Sequence, residues 1–268
     1  MGGSKKKQTA PAENSLFISL IHNYCDRWCE RCPLTLRCAV FAMQQADEVS
    51  LASRDPENDA FWQHLHGIFS NTLEMVREMA AKAGVDVNDV PTPEEEAEED
   101  RIDTAAHANP LFTSARAYMA GVAAWFKEME APLREKAEQL AAQARMALPG
   151  ADPQALLTEM EDAVEVILWY HTLIGAKIHR AVRGELVGHP ACIADLPKDY
   201  DGSAKVALIS VERSIAAWAL LRKHFPERDD ETLDFLVQLE RLRKATEQAF
   251  PDARAFVRPG FDELAPRN

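Results

Sequence analysis

Apolar residues recur at helical spacing through most of the chain and predict long helices separated by short breaks. After the break at Ser53-Arg54-Asp55-Pro56, Phe61, Leu65, Ile68, Phe69, Thr72, Val76 and Met79 keep that period up to a stop at Gly84. Asn109-Pro110 opens a long helix toward Leu148, with a bend expected at Pro132 and a stop at Pro149-Gly150. Asp152-Pro153 caps the next, whose predicted buried face carries Leu157, Met160, Val164, Ile167, Leu168, His171, Ile174, Ile178 and Val182. Breakers from Gly184 to Gly202 predict a loop. Ser203 starts a helix through Leu208, Val211, Ile215, Trp218 and Leu221, and Asp229 or Asp230 caps a last one through Leu233, Leu236, Leu239 and Leu242. Long helices with short connections imply an all-α helical bundle of about six to eight helices with an N-terminal cysteine-rich helical lobe.

That lobe begins with a pattern of its own. Asn14 or Ser15 offers an N-cap, and a helix predicted from there to Cys32 places Ile18, Ile21, Cys25, Cys29 and Cys32 on one stripe. Phe17, Leu20, Tyr24 and Trp28 form a second stripe, and Pro33 stops or kinks the helix. A short helix from about Thr35 to Leu51 is expected to return Cys38 toward the other three thiols. The expected domains are a disordered tail (1–13), the helical lobe (14–83), an acidic linker or short helix (84–108), the bundle (109–250) and an extended tail (251–268).

Composition sharpens this. With 47% hydrophobic residues the 268-residue chain can bury a sizeable core, and its few β-branched runs favour helix. The net charge of −13 argues against a nucleic-acid partner. Much of it is local: between Gly84 and Pro110 nine acidic residues stand against Arg101 alone, a net −8, leaving −5 for the remainder. Within that stretch Val90-Pro91-Thr92-Pro93-Glu94-Glu95-Glu96 is a helix start, with Thr92 as cap and carboxylates against the helix dipole. No secretory leader and no membrane-spanning run is legible, so a cytoplasmic, reducing setting is expected.

Four of the five cysteines fall within fourteen positions, as Cys25-x3-Cys29-x2-Cys32-x5-Cys38. In a reducing compartment such a cluster points to metal ligation by thiolate rather than to disulfides. A [4Fe-4S] cluster and Zn2+ both accept four thiolates. On a straight helix Cys25 and Cys32 lie about 10.5 Å apart along the axis, whereas thiolates on one zinc ion lie roughly 4 Å apart. The helical reading therefore favours the cluster. His22, one turn before Cys25, is a possible alternate ligand or hydrogen-bond donor; Arg27, Arg31 and Arg37 either support thiolate charge or face solvent from the polar side.

Cys29-Glu30-Arg31-Cys32-Pro33-Leu34-Thr35-Leu36-Arg37-Cys38 resembles the C-x2-C-P-x4-C segment that closes the [4Fe-4S] site of iron-sulfur RecB-like nucleases. The resemblance covers ten residues and implies cluster ligation by Cys29, Cys32 and Cys38. Nuclease activity does not follow, because no strand-borne carboxylate and lysine set accompanies it. Cys25, Cys29 and Cys32 also share the spacing of the radical S-adenosylmethionine motif, but Arg31 replaces the usual aromatic residue and no strand-helix barrel follows.

Three functions are compatible with these features. The first is a [4Fe-4S]-binding helical protein with a redox, sensing or structural cluster and an unidentified protein or redox partner. The second is a zinc-stapled helical interaction module without catalysis. The third is an enzyme with a polar pocket around His171, although no catalytic residue set is legible and a histidine on an apolar stripe is more often a satisfied core residue. Cys192 and His189, in the breaker-rich segment, have no spacing relation to the cysteine cluster. The sequence leaves the oligomeric state open.

Overall fold

The computed structural model describes residues 16–46, 55–83, 86, 90–146, 152–189 and 197–262. Among them are seven α-helices and no strand, as the hydrophobic period predicts. The helices are α1 (Ala39–Ala46), α2 (Asp59–Ala83), α3 (Pro93–Ala108), α4 (Pro110–Met146), α5 (Pro153–Val187), α6 (Asp199–His224) and α7 (Asp229–Ala249). The chain divides into two compact units, one of Met1–Ile18 with Cys29–Glu99 and one of Ser19–Trp28 with Asp100–Asn268.

In the larger unit, α6 is buried on nearly every side. Gly202, Ser203, Ala204, Ala207, Ser210, Ser214 and Ala217 are all inside, and these small side chains let neighbouring helices approach closely. Trp218 is fully buried, stacks on Phe235 at 4.5 Å between ring centroids, and donates its indole N–H to the Tyr118 hydroxyl at 3.0 Å. Trp125 meets Trp218 edge-on and donates to Glu231 at 2.8 Å, so α4, α6 and α7 share one aromatic core whose polar atoms are satisfied. The helix starts are local in origin. Asp152 accepts the Ala155 N–H at 2.9 Å, with Pro153 in the first turn. In the smaller unit Thr92 and Glu95 form a reciprocal capping box.

Several boundaries differ from the sequence pattern. α4 runs continuously through Pro132. α5 continues past Gly184 to Val187 and stops at Gly188, whose φ of 82° favours glycine. α6 begins at Asp199 rather than Ser203, drawing Tyr200 out of the expected loop, with Asp199 and Asp201 in its first turn. Residues 251–262 are mostly turns, with Ala253 and Phe256 buried.

The largest difference lies at the N-terminus, where the helix expected from Asn14 or Ser15 to Cys32 is absent over its described part. Residues 16–38 instead run as turns with three short 3-10 segments, Ile21–Asn23, Cys29–Arg31 and Thr35–Arg37. Leu20 (φ 59°) and Arg27 (φ 60°) adopt left-handed backbone, which breaks any continuous helix there. The cysteine-bearing segment is therefore coiled, and its thiols do not rise along one helical stripe.

Gly202 of α6 packs directly beneath this turn. A Cβ there would overlap the Tyr24 ring and lie 2.6 Å from Phe256 Cζ. Gly202→Ala is expected to destabilise the protein by about 1–3 kcal/mol, the usual cost of overpacking, measured by urea unfolding. Ala at Gly67, where a Cβ meets nothing within 4 Å, provides the control.

Candidate functional site

The first cysteine sits on a strap, Ser19–Trp28, bound to α5 and α6 within the larger unit. Asp26 is its main anchor. One carboxylate oxygen accepts the Tyr170 hydroxyl at 2.7 Å and Arg213 Nη1 at 2.6 Å, and the other accepts the Trp28 backbone N–H at 3.2 Å. The Asp26 carbonyl accepts the Trp169 indole N–H at 2.9 Å. Arg213 also donates to the Tyr170 hydroxyl and stacks over its ring. Trp28 lies flat on Trp169, 4.9 Å between centroids, and meets Tyr170 edge-on. Left-handed backbone at a residue other than glycine costs on the order of 1–3 kcal/mol, so these contacts offset the strain at Leu20 and Arg27.

Two further anchors hold the other end of the strap. Tyr24 packs against Phe256 and donates to Asp199 at 3.0 Å, while Arg180 grips the same carboxylate with two hydrogen bonds. Lys177, only 7% exposed, donates from Nζ to the Asn23 carbonyl at 2.8 Å. Cys25 is half-buried between these anchors, and its thiol donates to the His22 carbonyl at 3.5 Å.

Burial sets the titration of these groups. It pushes the Tyr170 hydroxyl up to about 12, helped by the hydrogen bond to Asp26. It pushes Tyr24 to about 12 as well, with Asp199 adding to the effect. Burial brings Lys177 down to about 8, Arg180 repels its charge further, and Cys25 opposes the shift.

The other three cysteines belong to the smaller unit. The Cys32 N–H bonds to the Cys29 carbonyl at 3.2 Å, closing a 3-10 turn, a geometry that eclipses side chains three residues apart. Beyond Pro33 the backbone N–H of buried Leu34 points at Cys32 Sγ, 3.4 Å away. The Cys38 N–H bonds to the Thr35 carbonyl, and its own carbonyl accepts the first N–H bond into α1, from Ala42 at 3.0 Å. Ile18 donates to the Arg37 carbonyl at 2.9 Å and ties the start of the segment to its end.

Cys25, Cys29, Cys32 and Cys38 are all half-buried and none is in a disulfide. Among the described residues, no group of three or more Cys, His, Asp or Glu side chains is gathered closely enough to hold a metal ion. His22 is half-buried and meets Cys25 through its carbonyl, while Arg27, Arg31 and Arg37 are exposed, as polar-side residues should be. Cys192 lies outside the described residues.

His171 is not a core histidine. Tyr170 takes the buried position on α5, Leu168 is 43% exposed, and His171 is half-buried with Nδ1 2.7 Å from the Leu168 carbonyl. The expected face was one residue out of phase at this turn. His171 instead joins Arg116, Met119 and small residues of α4 in lining an open groove of about 680 Å³. No buried acid, base or nucleophile accompanies it among the lining residues.

Sequence reasoning found the cysteines but missed Asp26, Lys177, Asp199 and Arg213. Asp26 and Arg213 are 187 residues apart, a separation at which no local period carries a signal. Trp28, placed on an apolar stripe, was the one legible hint that this segment docks on something.

Asp26→Ala leaves the buried Tyr170 hydroxyl without its acceptor. The change should cost about 1.5–3 kcal/mol, the range for hydrogen bonds to a charged group, read from the urea midpoint. Lys177 has a folded-state value below its unfolded one, so between pH 8 and 10.5 the unfolded chain holds the extra proton. Stability of the metal-free chain should rise with pH across that window by up to about 1.4 kcal/mol per unit, and Lys177→Met should flatten the rise. No protein-family model, no curated protein and no solved structure matches this chain, so its function is argued from the chemistry of this segment.

Proposed function

We propose that Cys25, Cys29, Cys32 and Cys38 bind a [4Fe-4S] cluster with a redox, sensing or structural role. The observation that carries the reading is the backbone around Cys32. The chain turns at Pro33 so that the Leu34 N–H is directed at the sulfur, an arrangement that stabilises negative charge on a thiolate and tunes a cluster bound to it. The donor set adds support: four thiols, none in a disulfide, on short turns. Because no three of the side chains are gathered, ligation would draw the thiols together, and binding energy would become folding energy. Such a cluster supplies one-electron transfer or a sensitivity to oxidants. The chain's own contribution is to hold Cys25 through Asp26, Tyr24 and Lys177 and to present the N–H of Leu34 to Cys32.

A structural Zn2+ is the second reading, and one observation favours it. The axial span between Cys25 and Cys32 assumed a straight helix, and the described backbone is turns. That geometric objection to a single ion therefore lapses.

Anaerobic purification followed by a visible spectrum and metal and sulfide analysis separates the two. The cluster predicts a brown protein with iron and acid-labile sulfide in equal amounts, both lost in Cys38→Ser. A colourless protein with stoichiometric zinc would overturn the cluster and support the structural ion. No metal of either kind would sink both readings.

A further inference from the structure

None of the described residues of α2 (Asp59–Ala83) is buried, and several of its exposed side chains are the wrong ones for solvent. Trp62 is 57% exposed, Phe69 60%, Leu73 54% and Val76 43%. With His66 and Ala80 these residues follow a 4-3-4-3-4 spacing, the seam of a coiled coil. The carboxylates Glu74 and Glu78 fall away from it by the same period, so from Trp62 to Ala80 the seam carries no acidic residue in a chain of net charge −13; Asp59, the seam position before Trp62, stands at the helix start.

The seam is its own complement when reversed. Pairing two copies antiparallel about residue 71 sets Trp62 against Ala80, His66 against Val76 and Phe69 against Leu73. The largest side chain then meets the smallest, and the helix dipoles oppose. A parallel pair would instead stack Trp62 on Trp62 and His66 on His66. Beside the seam the same register sets Gln63 across from Met79 and Arg77 across from Leu65, so no like charges meet there. Aromatic side chains bury roughly 150–250 Å² each when covered. The four are 43–60% exposed, so covering them on both copies removes roughly 800–900 Å², and the flanking His66, Gln63, Arg77 and Ala80 bring the contact to the order of 1,000 Å², the lower bound for a specific interface.

We propose that α2 is a self-association helix whose seam is covered by α2 of a second copy of this chain, antiparallel. The proposal is independent of the metal reading. Light scattering and sedimentation equilibrium on the full chain test it. The expected result is a dimer in which Leu73→Glu raises Kd by about 10- to 100-fold, on the scale of an interface hot spot, with helix content unchanged by circular dichroism. Ala80→Trp should weaken the dimer by setting Trp against Trp62, and combining it with Trp62→Ala should restore it. A monomer at every concentration measured would mean that something else covers α2, and overturns the proposal. So does a dimer indifferent to Leu73→Glu and Phe69→Glu, and a double variant no tighter than Ala80→Trp alone overturns the antiparallel register.

Discussion

The conformation of residues 19–28 depends on one carboxylate. The Asp26 carboxylate gathers donors from Tyr170, Arg213 and the backbone of Trp28, its carbonyl accepts the Trp169 indole, and its side chain is 23% exposed. A carboxylate in such a place must be hydrogen-bonded or its desolvation is uncompensated. Once it is satisfied, the positions of its neighbours follow. Trp28 is laid on Trp169, Cys25 is fixed one residue away, and the backbone beside Asp26 passes through a left-handed turn at Arg27. A regular helix through this region would have to give up those partners.

The bundle makes the docking possible. Helix α6 is lined with small residues, and at its first turn Gly202 leaves room for the Tyr24 and Phe256 rings. Lys177 on α5 reaches the Asn23 carbonyl from a buried position. The strap is therefore held by hydrogen bonds aimed at specific backbone and carboxylate atoms.

His171 illustrates how a narrow error in phase changes a functional reading. On an apolar stripe it resembled a core histidine, but Tyr170 takes the buried place, on one face of α5 with Ala163, Ile167, Ile174 and Ile178. A polar partner contributed by a distant segment satisfies the hydroxyl which that face buries. The same logic explains Lys177, a residue that no hydropathy pattern would bury; the Asn23 carbonyl accepts its ammonium there.

The sequence by itself determined the long helices, since caps such as Asp152 and Thr92 and the 3.6-residue period act within a few residues of one another. It also displayed the four thiols and their spacing, which is a covalent fact. Only the tertiary structure decided the shape of the segment that carries them. Two apolar stripes made residues 14–32 read as a helix, yet partners on α5 and α6, more than 140 residues away, hold residues 19–28 in turns. Local period can state that a residue such as Trp28 will be buried. What it packs against, and the backbone it must adopt to get there, are set by groups that meet only after the bundle has formed.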